Sequence, residues 1–112
     1  MVYSEAETIC ARLRQVDGVA RVTRGWPAGL ERLPCIAVSK AADTPVGFRD
    51  DRAYITRLEY YIRIFADSAA QTDALAGAVD AAMEELGYMR TLAYDSDEQD
   101  VRMAALRYMK YR

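Results

Sequence analysis

The run from Ala53 to Phe65 alternates in side-chain character with a period of two, and it limits the fold more than any other feature of the chain. Tyr54, Thr56, Leu58, Tyr60, Ile62 and Ile64 fall on one side. Ile55, Arg57, Glu59, Tyr61, Arg63 and Phe65 fall on the other. Successive side chains of a strand point to opposite faces, so the first set suits a core. The second set mixes charge with aromatic and aliphatic groups, as a partly wet sheet face does. A strand this long needs a sheet around it and an apolar layer over one side.

Two segments supply that layer. Ser4-Glu5-Ala6-Glu7 predicts a capping box, with the Ser4 hydroxyl at the Glu7 amide and the Glu7 carboxylate reaching back. Ala6, Ile9, Cys10, Leu13 and Val16 then repeat with helical spacing until Gly18. A second helix follows the long strand, capped by Asp67 or Ser68 with Gln71 completing a box. Its apolar stripe is Thr72, Leu75, Ala76, Val79, Ala82, Met83 and Leu86, and Gly87 ends it.

The remaining segments read as strands and connections. Val19 to Thr23 and Cys35 to Val38 predict short strands, separated by a loop that Gly25, Pro27 and Pro34 punctuate. Ser39 to Asp51, with Pro45 and Gly47 inside it, reads as a long connection of the kind that often carries function. Tyr88 to Ala93 predicts a strand, Asp95 to Asp100 an acidic turn, and Val101 to Tyr111 a closing strand. The order α-β-β-β-α-β-β predicts a single α+β domain over residues 1–112. In it, two helices pack on a largely antiparallel sheet of four to five strands.

Composition narrows the function. The chain has no histidine, which removes Ser-His-Asp and Cys-His nucleophile systems and imidazole metal sites. The two cysteines, Cys10 and Cys35, fall in apolar runs and read as buried thiols, although a disulfide between them stays open. Neither a Gly-x-Gly-x-x-Gly fingerprint nor a phosphate loop is present. The acidic run from Asp95 fails as a calcium loop, because Asp100 stands where glycine is required and Leu106 where glutamate is. Asp50 and Asp51 between Arg49 and Arg52 read as a charged loop tip rather than an acid/base pair. No catalytic residue, cofactor or metal is therefore expected.

A formal net charge of -2 argues against a protein that coats nucleic acid. Tyr60, Tyr61, Tyr108 and Tyr111 would suit base stacking, but the balancing acids speak against it. Lys40 and Lys110 are the only lysines, so the cations are mostly arginine, the one better suited to interfaces. Trp26, in a Gly-Trp-Pro turn, is either a loop residue folded onto the core or an anchor for a partner. With no signal peptide and no apolar run of membrane-spanning length, the expected location is the cytoplasm.

Several of these segments together carry a family resemblance. The N-terminal helix, Gly25-Trp26-Pro27, the loop ending in acids, and Leu58-Glu59-Tyr60-Tyr61-Ile62-Arg63-Ile64-Phe65-Ala66-Asp67 resemble small phage tail completion proteins, or tail terminators. Ala78-Val79-Asp80-Ala81-Ala82-Met83, Leu86-Gly87-Tyr88-Met89-Arg90-Thr91 and Ala104-Ala105-Leu106-Arg107-Tyr108 continue the pattern, which covers Val19 to Tyr111. The resemblance implies a structural subunit of a ring, usually hexameric, that caps the tail tube and joins it to the head. Its partners would be further copies of itself, the tube protein and the head connector, with genomic DNA passing through unbound. It would occupy the host cytoplasm during assembly and then the virion tail.

A ring needs two different complementary patches per subunit. Arg57, Tyr61 and Arg63 are expected at one subunit interface. Trp26, Phe48, Arg49, Asp50, Asp51 and Arg52 are candidates for partner contact. Asp95, Asp97, Glu98 and Asp100 are candidates for a channel lining that repels phosphate, on charge alone. The alternative is a small ligand-binding or regulatory α+β module whose pocket Trp26 and the sheet tyrosines would line.

Overall fold

The computed structural model describes residues 4–30, 32–50, 52–98 and 101–112, with the backbone alone at 53, 54 and 98. Along the chain run α1 (Ala6–Leu13), β1 (Arg21–Arg24), β2 (Cys35–Arg49), β3 (Arg52–Ala66), α2 (Ala69–Glu85), β4 (Met89–Glu98) and β5 (Val101–Tyr111). The order matches the sequence expectation, and the five strands form one sheet ordered β1-β2-β3-β5-β4. β1 and β2 run parallel, and every other neighbouring pair is antiparallel.

β3 is the middle strand, and its alternation sets the layers. Leu58, Tyr60, Ile62 and Ile64 are fully buried beneath both helices, and Thr56 is buried beside them. α1 contributes Ala6, Ile9, Cys10 and Leu13 to this core, and α2 contributes Leu75, Val79, Ala82 and Met83. Val16, Ala76 and Leu86, expected in the stripes, pack at its margin. The Ser68 hydroxyl caps α2 by accepting from the Gln71 amide at 3.2 Å, and Gln71 accepts in turn from the Asp67 amide at 3.3 Å. Gly87 follows α2 with φ +89°, a left-handed conformation that glycine adopts without strain. Cys10 lies in this core and Cys35 in a smaller cluster on the opposite side of the sheet; both are free thiols.

Three expectations fail, each for a physical reason. The capping box at Ser4 and Glu7 does not form; Glu5 stands at the N-cap without a side-chain cap. Tertiary partners have taken these groups. The Glu5 amide donates to the Tyr60 hydroxyl at 2.8 Å. The Glu5 carboxylate accepts from the Tyr88 hydroxyl at 2.6 Å, from Lys110 Nζ at 3.3 Å and from the Arg112 guanidinium. Glu7 instead pairs with Arg24 at 3.2 Å.

The stretch from Ser39 to Arg49 is strand, not connection, and β2 and β3 form one long hairpin. Past Val38, β1 no longer flanks β2, so the missing amide of Pro45 costs no ladder bond on that outer edge. Gly47 sits between two register shifts, where an added Cβ would lie 3.0 Å from the Ile55 Cβ. The turn begins at Asp50, whose φ of +53° suits a tight hairpin; Asp51 lies outside the described residues. The acidic segment is likewise strand as far as Glu98, paired with β5 through Asp95↔Ala104 and Asp97↔Arg102. Polar composition misled here, because an edge strand exposed on its outer side tolerates charge. The first strand is also shifted, to Arg21–Arg24.

β5 pairs with β3 only from Arg57↔Tyr111 onward, extended by mutual backbone bonds of Thr56 and Arg112 at 2.8 Å. The rest of the β2–β3 hairpin projects as a two-stranded arm, and the molecule measures 51 × 25 × 23 Å.

Two outcomes test this architecture. Leu75→Ala, at a site only 6% exposed, should lower unfolding free energy by about 2–5 kcal/mol in denaturant titration. Burial raises the Glu5 pKa, but the hydrogen bonds from Tyr88, Arg112 and Lys110 outweigh it, and the net value falls below the ordinary carboxyl range. A depressed folded-state pKa stabilises the fold above the unfolded pKa, and this stability is lost as pH falls through the folded value. Glu5→Gln should therefore cost about 1–3 kcal/mol at neutral pH and progressively less as acid titrates the native carboxyl.

Candidate functional site

No helix covers the second side of β3. Arg57, Glu59, Tyr61 and Arg63 stand there, joined across the ladder by Tyr111, Met109, Arg107 and Ala105 of β5. Leu92 of β4 lies opposite Arg107, Tyr94 opposite Ala105 and Met89 opposite Met109, so they extend the same face. Met89, Leu92, Tyr94 and Tyr111 are among the few large apolar side chains left exposed. Toward the other end the face is closed by the loop of residues 25–34. Its Leu30 and Leu33 pack on Cys35, Ala37, Phe65, Met103 and Ala105. Arg21 secures that loop through the Gly29 carbonyl, and Arg32 reaches the Ala20 carbonyl at 3.3 Å.

Cations and rings interleave along the open part. The Arg63 guanidinium lies 4.9 Å from the Trp26 ring centre and 4.5 Å from that of Tyr61, and donates to the Ser39 hydroxyl at 2.9 Å. Arg107 approaches the Tyr61 ring at 5.3 Å, donates to its hydroxyl at 3.4 Å, and pairs with Glu59 at 3.2 Å. Hydrogen bonds to Tyr61 and Glu59 raise the Arg107 pKa further, so its charge is permanent. Arg57 stands 3.9 Å from Glu59, and its Nε is buried without a hydrogen-bond partner. Three arginines to one glutamate leave a positive surplus. The Arg63 and Arg107 guanidiniums are held in place by rings and hydroxyls, so they can meet carboxylates with little loss of side-chain freedom.

The structure gathers only part of the predicted set here. Arg57, Tyr61 and Arg63 lie together as expected. The Trp26 ring contacts Phe65 at 5.7 Å between centres and is 59% exposed, so the loop residue does fold back onto the sheet. Phe48, Arg49, Asp50 and Arg52 sit at the tip of the arm, far along the hairpin register from Tyr61, with Phe48 exposed. Asp95 and Asp97 face the helix side of β4, in a shallow cavity of about 180 Å³ shared with Ala69, Thr72 and Arg102. Asp97 pairs there with Arg102 at 3.3 Å. The Glu98 side chain and Asp100 lie outside the described residues. Sequence reasoning missed Arg107, Leu92 and Tyr94 as members of the face. Period-two reading of the last strands would have grouped each set, but not set it beside β3.

Two further shallow cavities, of about 340 and 310 Å³, lie beside β1 and at the start of β4; neither contains Trp26 or Tyr61. Among the described residues no three Cys, Asp or Glu side chains converge as metal ligands. No helix among them is long and apolar enough to cross a membrane. Among the described residues, this sheet face carries no lysine but does carry aromatic and arginine groups, the side-chain types enriched at protein interfaces.

No protein-family model and no curated protein sequence matches this chain. Among solved structures, a chain from the virion of a native gene transfer agent particle is similar, with a TM-score of 0.69 at 18% identity. The likeness covers 90% of this chain and 88% of that one, and at this identity it shows a shared fold.

Trp26→Ala should change stability by only about 0.5–1.5 kcal/mol, the worth of its contact with Phe65. As the sole tryptophan, Trp26 should give a solvent-exposed emission that acrylamide quenches readily. A blue-shifted, protected emission would contradict the placement.

Proposed function

We propose that this chain is a structural subunit of a virion, a ring-forming tail terminator or tail completion protein that caps the tail tube and joins it to the head. The observation that carries this reading is the shared fold with a gene transfer agent virion chain, over nearly the full length of both. The tail-terminator resemblance of Leu58 to Asp67 and of Leu86 to Thr91 supports it from the sequence side. The exposed face of Arg57, Tyr61, Arg63 and Arg107 supplies the chemistry of a subunit contact.

In this reading each subunit meets its neighbour through two unlike patches, because only a heterologous contact closes a ring. The arm tip, with Phe48, Arg49, Asp50 and Arg52, reaches the tube or the head connector. Asp95 and Asp97, with Glu98 and Asp100, line the passage for DNA and keep it moving by repelling phosphate. The chain then holds DNA nowhere, consistent with its net charge of -2.

Electron microscopy of particles made with and without this chain tests the proposal. Tails of uncontrolled length, or heads and tails left unjoined, are expected in its absence; normal particles would overturn it. Reversing Arg49 and Arg52 to Glu should leave the subunit folded by circular dichroism but impair joining. Full joining by that variant would remove the arm tip from the contact.

A further inference from the structure

On the assembly reading above, we infer that the outer surface of α2 in one copy docks on the helix-free sheet face of the next. α2 carries no basic residue from Ala69 to Glu85, but does carry Asp73, Asp80, Glu84 and Glu85. Asp73 and Glu84 are exposed and point away from the subunit's own sheet. Among the described residues, the opposite side of the molecule presents Arg57 and Arg107 beside Glu59, with Arg63 further along β3 against Tyr61 and Trp26. The two surfaces are complementary in sign.

They are also complementary in shape. Ala70, Ala74, Gly77 and Ala81 are exposed and spaced to form a smooth stripe along the helix. Aromatic and arginine side chains stand up from the sheet face and need such a surface to approach closely. Gly77 adds an independent sign. Mid-helix glycine costs about 0.5–1 kcal/mol relative to alanine, yet a Cβ built at Gly77 meets nothing within 4 Å. The subunit's own packing gives no reason for its smallness; a close neighbour does. The 17 residues of α2 span about 25 Å, enough to cross the three strand spacings of about 4.8 Å from β2 to β4 on the open part of the face.

The helix layer and the open face lie on opposite sides of one sheet. Their contact is therefore head-to-tail, the kind that makes a ring where the rotation from copy to copy closes and a filament where it does not. The arginine–aromatic face becomes the floor under its neighbour's helix, and the acids of that helix neutralise its positive surplus.

Sedimentation velocity on the full chain, from micromolar to millimolar concentration, tests this. The wild type should self-associate. Gly77→Leu, and separately Asp73→Arg with Glu84→Arg, should retain the wild-type circular dichroism, with Gly77→Leu melting no lower than wild type. Each should weaken association on the order of 100-fold. Arg63→Glu with Arg107→Glu should do the same, and an equimolar mixture of the two charge-reversed variants should recover assembly through the exchanged signs. A wild type that stays monomeric at millimolar concentration would overturn the inference. So would undiminished assembly of Gly77→Leu, or a mixture no better than its components. Any of these leaves the virion role to the particle phenotype, which is read separately.

Discussion

β3 is paired along both edges, and its buried face lies in the core that α2, over β3 and β5, and α1, over β1 and β2, enclose. Leu58, Tyr60, Ile62 and Ile64 are each fully buried, and Ile62 and Ile64 sit where all five strands pair. Burying side chains of this size contributes about 1.5–3 kcal/mol apiece, so this single face accounts for much of what holds α1 and α2 in place. Even the polar contacts are organised by it. The Tyr60 hydroxyl receives the Glu5 amide at the start of α1, and the Tyr60 ring meets Tyr88 edge-on at 6.0 Å. Tyr108, beside Tyr60 on β5, reaches Asp80 of α2 at 2.9 Å.

Because alternation is strict, what the core takes from one face fixes what the other must display. A helix on each side would have demanded two apolar faces. Here Arg57, Glu59, Tyr61 and Arg63 leave the second face suited to a surface that arrives from outside, with opposite charge and small side chains. The same strand thus builds the core on one side and the arginine–aromatic face on the other. Sheet edges divide the remaining roles. Pro45 and the register shifts of β2 discourage strand addition on one side, while the loop of residues 25–34 protects the buried end of the open face.

Much of this was legible in the residues. The buried and wet faces of β3, the Ser68–Gln71 cap and the apolar stripes of both helices follow from local spacing alone. Failures came where distant groups or sheet position decided. Glu5 and Glu7 have the pattern of a capping box, but Tyr60, Tyr88, Lys110, Arg112 and Arg24 compete for them, and none of these is local. Pro45, Gly47 and the acids from Asp95 break strands in general, but not on an unflanked edge. For the candidate site, Arg57, Tyr61 and Arg63 were visible because they share a strand. Arg107, Leu92 and Tyr94 were not, since their place beside Tyr61 depends on β5 entering between β3 and β4.

β2 begins as core and ends as arm. Cys35, Ile36, Ala37 and Val38 are almost wholly inaccessible to solvent, while Phe48, on the same strand, stands in water. Ladder bonds in an antiparallel pair lie perpendicular to the strands. A pull at the tip moves β2 and β3 together, so it loads the β3–β5 ladder in shear instead of opening it bond by bond. Force applied at the tip would be shared across the ladder and delivered to the part of the sheet that α1 and α2 clamp. The arm is mechanically a tie rod rather than a flap.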